Sequence, residues 1–196
     1  VRSMSYLPET AKKNDESWVC SDGRYIYLPD EIALFANQAD NIRLYKCLTK
    51  LEAAYYEFHT FGFDFESGCT GFSKDYQDKE SSCHNDSDLE RFFDLFPSRI
   101  IAEDLFTIFE HGRIRILLER HYPGIVRQAF PILKQESEKI CSSAGTLFSF
   151  YTRIALGNQN SPLERGRGVF ELFQEKMRSG TNVENCAEIV IAVYPE

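Results

Sequence analysis

Residues 50–61 read KLEAAYYEFHTF, and within them Leu51-Glu52-Ala53-Ala54-Tyr55 sets a carboxylate at the second place of a five-residue frame. With histidine at both ends that frame would be H-E-x-x-H, in which two imidazoles one helical turn apart hold zinc and the glutamate acts as general base. Here the ends are an alkyl group, Leu51, and a neutral phenol, Tyr55, and neither holds zinc. The chemistry left is that of a lone carboxylate, Glu52. A second segment, FEHGRIRILLERHYPG, brings Glu110, His111 and Arg113 within one turn of each other. A guanidinium can bridge two carboxylates, so Arg113 is the natural partner for Glu110, for Glu52, or for both.

The elements that position these groups follow from hydrophobic periodicity. Leu44, Leu48, Leu51, Tyr55 and Phe58 recur at spacings of four and three, predicting a helix over Ile42–Phe58 with Asp40 or Asn41 as its cap. Glu52 and His59 share one flank of that stripe, where a carboxylate needs a partner. Over Arg99–His121 the stripe is Ala102, Leu105, Phe106, Phe109, Ile116 and Leu117, with Arg113 inside it and Glu110 beside it. A buried Arg faces a carboxylate as a rule, so the two helices are expected to meet around a charge cluster of Glu52, Glu110 and Arg113. Tyr55 is expected to fill the space between them, its hydroxyl turned into the cluster.

Around this pair the chain reads as one mainly α domain. Residues 1–17 are polar and read as a flexible N-terminal segment, and residues 18–196 as a single helical domain. Asp22-Gly23 is a hairpin turn signal between two short β-prone runs. Asp30 can open a short helix over Glu31 to Ala39. From about Thr60 to Asp88 the periodicity gives way to Gly, Ser and Asp, predicting a long loop that is mobile between Ser73 and Asn85. Its NDSD run has the start of a calcium loop but not the later Gly and Glu, so helix capping ahead of LERFFDLF is the better account. Two helices then follow YPG, with a kink or early turn at Pro131 and a stop at GNQNSP; another begins at Pro162, and NVENCAEIVIAVYPE supplies the last.

Composition narrows the function classes. A formal charge of −8 disfavours nucleic acid, which requires a basic surface. There is no run of about eighteen apolar residues, hence no expected membrane span, and no signal-peptide h-region at the start. The six cysteines, at 20, 47, 69, 83, 141 and 186, form no C-x-x-C and read as reduced cytoplasmic thiols, with Cys69 and Cys83 close enough in sequence to pair under oxidation. GRGVFELF lacks the third Gly and the preceding strand of a dinucleotide fingerprint, and no Walker A or G-x-S-x-G run occurs. His84 falls in the loop and His121 at a helix end, positions typical of surface or capping residues.

Three segments, DGRYIYLPDEI, NIRLYKCLTKLEAAYYEFHTF and FEHGRIRILLERHYPGI, resemble in order the N-terminal region of NorD- and CbbO-type proteins, covering roughly residues 18–65 and 90–130. In that family the region precedes a von Willebrand factor A domain, and the protein partners a MoxR-type AAA+ ATPase. Many relatives carry H-E-x-x-H-x-E-F-G-T-F on the first helix and E-D-x-R on the second, a zincin-like helix pair. The resemblance makes Leu51, Glu52, Tyr55 and Glu110 the positions of a degenerate metal site: two lost imidazoles, the general base and the third ligand. His59 stands at the motif Gly and His111 at the motif Asp, while Arg113 matches the Arg. What the resemblance implies is a non-catalytic docking or substrate-recognition domain, without cofactor. It would work with a MoxR-type ATPase and a client complex in the activation or maturation of a metalloenzyme. The competing class is a zinc-dependent hydrolase with relocated ligands, of which His59 and His111 are the candidates.

Overall fold

A computed structural model describes residues 20–21, 25–70, 87–141, 146–158 and 167–194. The chain enters through a minimal antiparallel ladder, β1 (Cys20–Ser21) beside β2 (Ile26–Tyr27), with Cys20 opposite Tyr27 and Ser21 opposite Ile26. The Asp22-Gly23 turn lies outside the described residues. The short helix expected at Glu31 to Ala39 is not formed: residues 31–37 are irregular, and α1 runs Gln38–Glu57. Two contacts explain the shift. Asn37 caps the helix by accepting the Ala39 N–H at 2.8 Å, whereas Asn41 folds back on Phe35, accepting its N–H at 2.8 Å and donating to its carbonyl at 2.7 Å. Exposed Leu34 and half-buried Ile32 find no core to cover, so a helix there has nothing to dock on.

α1 ends at Phe58, whose N–H reaches the Ala54 carbonyl at 2.9 Å. His59 follows in the left-handed region (φ 58°, ψ 36°), the conformation in which a helix C-terminus normally places Gly. The expected loop is therefore structured at its start. A 3₁₀ turn at Thr60–Gly62 leads into α2 (Phe65–Gly68), capped by Asp64, and Phe63, Phe65 and Cys69 are buried in the main core. Apolar rings spaced two apart in an otherwise polar run made this anchoring possible. The remainder of the loop, including Ser73–Asn85 and Cys83, lies outside the described residues. At its far end Ser87 and Glu90 form a reciprocal capping box for α3 (Asp88–Asp94), so the run does cap a helix, but through the Ser87 hydroxyl rather than a carboxylate; Asp88 accepts the Phe65 N–H at 3.1 Å.

α4 (Arg99–His121) is the central element. Ile108, Phe109, Glu110, Gly112, Arg113 and Ile114 are all buried, which no single-faced amphipathic helix would show. It is covered by α1, by α5 (Pro123–Cys141), by α6 (Thr146–Ile154) and by α8 (Val183–Val193), while α7 (Arg167–Ser179) packs on α6 and α8. Pro123 opens α5 in the first turn, where a missing N–H costs nothing. Pro131 does not end that helix, because it stands on the exposed side, where water can satisfy the carbonyl it leaves free. Gly157, at φ 67°, turns the chain after α6, and the proposed start at Pro162 lies outside the described residues.

Large rings dominate the core. Phe63, Phe92, Phe93 and Phe106 pack edge to face between α3 and α4, with ring centroids 5.4 to 6.4 Å apart. A smaller cluster of Ala54, Tyr55, Ile114 and Leu118 joins α1 to α4. The architecture is thus mainly helical, as the periodicity predicts. No helix among the described residues is long and apolar enough to cross a membrane.

Candidate functional site

α4 contributes a buried ion pair where it passes the C-terminus of α1. Arg113, 2% exposed, donates through Nε to one oxygen of Glu110 at 2.7 Å and through Nη2 to the other at 2.6 Å; Glu110 itself is fully buried. The two residues are one turn apart on the same helix, so the fork closes on its own element. The remaining donors leave that helix. Nη2 also reaches the Phe58 carbonyl at 3.0 Å and Thr60 Oγ1 at 3.2 Å, and Nη1 reaches the Thr181 carbonyl at 3.1 Å. The Thr60 hydroxyl in turn donates to Glu110. Arg113 therefore ties together the end of α1, the following 3₁₀ turn and the segment that leads into α8.

Burial opposes the Arg113 charge, but the Glu110 hydrogen bonds and charge outweigh it and hold the guanidinium more firmly protonated than usual. Beside the pair, the buried Cys186 thiol is held well above its ordinary range, by burial first and by Glu110 second.

Glu52 stands outside this network, which corrects the expectation of a three-member charge cluster. Among the described residues it makes no hydrogen bond or ion pair. The physical reason is proximity: Glu110, one turn away on the same helix, takes two of the Arg113 donors, and the others that are engaged go to main-chain carbonyls and Thr60 rather than to a second carboxylate. Glu52 is half-buried, and burial pushes its carboxyl up to about 7.

Tyr55 does fill the space between the helices. It is 3% exposed, and its phenol lies within electrostatic reach of Glu52, Glu110, Tyr151 and Arg113, yet it makes no hydrogen bond among the described residues. Burial first, and then the neighbouring carboxylates, raise its hydroxyl well above the ordinary phenol range. Leu51 is half-buried and packs into the two small apolar clusters beside α1.

The two histidines are not brought together as ligands. His59 is exposed at the left-handed turn. His111 points the other way, between the rings of Tyr55 and Tyr151 at 5.7 and 5.8 Å, and burial lowers its imidazole to about 4. Among the described residues no group of three or more His, Cys, Asp or Glu side chains is placed to hold a metal ion.

Four members of this region escape a reading of the sequence. Thr60, Thr181 and Cys186 join the ion pair through tertiary folding alone. Tyr151 sits on α6 and carries no motif; its neighbour Cys47 shares its surroundings, and burial raises both to about 12. Comparison with protein-family models, with curated proteins and with solved structures gives no match to this chain.

Proposed function

We propose that this chain is a non-catalytic recognition domain of the NorD and CbbO kind. In this reading it docks on a MoxR-type AAA+ ATPase and presents a client complex to it during activation or maturation of a metalloenzyme, in the cytoplasm. One observation carries the non-catalytic half of the reading. Glu110, the carboxylate at the third-ligand position, is committed to Arg113 by two hydrogen bonds in a fully buried setting. A carboxylate so neutralised is not available to a metal without breaking the pair, at a cost of roughly 3–5 kcal/mol. The packing of Leu51 and Tyr55 against the neighbouring helix supports the same reading. The accessory role rests on the three ordered segments that resemble that family, and the net charge of −8 accords with a protein rather than a nucleic-acid partner.

The test has two arms. Metal content is measured on protein purified without a histidine tag, and binding to a MoxR-type ATPase from the same genome is measured by calorimetry. Metal-free protein that binds the ATPase is the expected outcome. Stoichiometric zinc together with peptidase activity would replace the reading by the hydrolase class, and metal-free protein that ignores the ATPase would remove the accessory role.

A further inference from the structure

Nine large apolar or aromatic side chains are exposed among the described residues, and five of them, Tyr25, Tyr27, Leu28, Leu34 and Ile42, fall in one short stretch. Single exposed apolar side chains need no explanation, but a concentration of them does. The fold gathers these on one surface. β2 lies beside α1, the Tyr45 hydroxyl of α1 donates to the Pro29 carbonyl at 3.1 Å, and the Asn41 side chain holds both the N–H and the carbonyl of Phe35. Residues 25–35 are thus laid against the first turns of α1. Ile42, one residue after Asn41 and three before Tyr45, stands beside them on the same helix.

The surface has the size and the chemistry of an interface. A large side chain presents roughly 200 Å² when fully open. At exposures of 47% to 66%, these five together present roughly 550 Å². That is the upper end of what a monomer leaves open in one apolar patch, about 300–600 Å². With a polar rim it reaches the roughly 600–1,000 Å² per copy that a specific dimer buries. Tyr25 and Tyr27 flank half-buried Ile26, so the two rings leave the strand on the same face. Tyrosine is a residue type enriched at interfaces. The rim is charged: Asp30 and Glu31 are exposed on the segment, and Lys46 is exposed on α1 one turn beyond Ile42.

We propose that this surface joins two copies of the chain about a twofold axis, with residues 25–35 of each copy laid over α1 of the other. The charge pattern favours a second copy over a foreign partner. Acid on one element and base on the neighbouring one make a surface that is complementary to itself after a half-turn. Asp30 and Glu31 of each copy then meet Lys46 of the other, while the apolar side chains close the centre. Leu34, which has no core to cover within its own chain, gains one from the second copy. The inference concerns self-association alone and does not rest on the ATPase reading.

The test is sedimentation of the whole chain from about 1 to about 500 µM, a range that brackets the weak affinity expected of an interface this small. The expected result is a mass that rises from one chain to two with concentration and stops there. Leu34→Glu combined with Ile42→Glu should weaken association at least about tenfold. Ile100→Glu, at an equally exposed site at the start of α4, should leave it unchanged. Lys46→Glu should weaken it about tenfold, and adding Asp30→Lys and Glu31→Lys to the same chain should restore it, since the twofold then pairs the reversed charges. Circular dichroism of each variant confirms that it is folded. A chain that stays a monomer throughout, its surface covered from within or kept for a different partner, overturns the proposal. So do assemblies that grow beyond two, association that Ile100→Glu weakens as much as the patch variant does, and a charge reversal that fails to restore it.

Discussion

Replacing Arg113 by Met tests whether the buried pair holds the domain together or merely decorates it. The side chain keeps most of its length and apolar stem, so packing changes little and the loss is electrostatic. Glu110, fully buried, would lose the partner that lies 2.6 Å away. Leaving one member of such a pair uncompensated costs roughly 3–5 kcal/mol. The Phe58 and Thr181 carbonyls, which accept from the same guanidinium at 3.0 and 3.1 Å, would also lose a donor. Each adds about 1 kcal/mol, less where water reaches it. The total, about 5 kcal/mol, is comparable with the whole stability of a small domain. Arg113→Met is therefore expected to unfold at far lower urea concentration than the parent, as read by circular dichroism. The double variant Glu110→Leu with Arg113→Met removes the stranded charge and should recover about 2–3 kcal/mol of the loss. A single variant that costs under about 1 kcal/mol would refute the reasoning, as would a double variant whose cost equals the sum of the two singles.

Three further outcomes follow from the geometry. His59→Gly relieves a side chain held at φ 58° and should raise stability by about 1 kcal/mol, seen as a higher midpoint in urea. Gly112→Ala should lower stability by about 1–3 kcal/mol, because a Cβ there would stand 2.7 Å from both the Ile154 side chain and the Phe173 ring. Glu52→Gln should show a pH signature. The folded protein holds the Glu52 proton up to about 7 against an ordinary value of 4.5, so stability present below 4.5 is lost as the pH rises through 7. The variant should therefore match the parent in acid and exceed it by about 2 kcal/mol above neutrality, and an equal difference at both ends would refute it.

Much of this arrangement is legible from residue types, and the exceptions have physical causes. The helix pair, its inward-facing Leu51 and Tyr55, and the pairing of Arg113 with a carboxylate follow from period and charge. The choice of carboxylate does not. Glu110 is three residues from Arg113, so the pair closes within one helix, and a one-dimensional pattern cannot rank that option against a partner across the interface. The early start of α1 turned on Asn41, whose side chain folds back onto Phe35 and leaves Asn37 as the cap. Residues 60–69 read as the start of a loop because the stretch from Thr60 to Asp88, rich in Gly, Ser and Asp, has no helical period, yet Phe63 and Phe65 gain enough by burial to order them.

The two carboxylates of the helix pair have met opposite fates, and the difference bears on what the domain can do. Glu110 is closed off by Arg113, and through it the end of α1 and the approach to α8 are fixed relative to α4. Glu52, six residues before Phe58 on the same helix, is half-buried and without a partner among the described residues. An unpaired carboxylate on a loosely attached helix end would swing out to water and lose its raised titration. The rigid pair and the unsatisfied acid are therefore expected to be linked. If Arg113→Lys loosens the junction while keeping the charge, the Glu52 midpoint should drop toward 4.5 even in protein that remains folded. Carboxyl-labelled NMR of that variant reads the midpoint directly, and a value still near 7 would show that the ion pair does not set the position of Glu52.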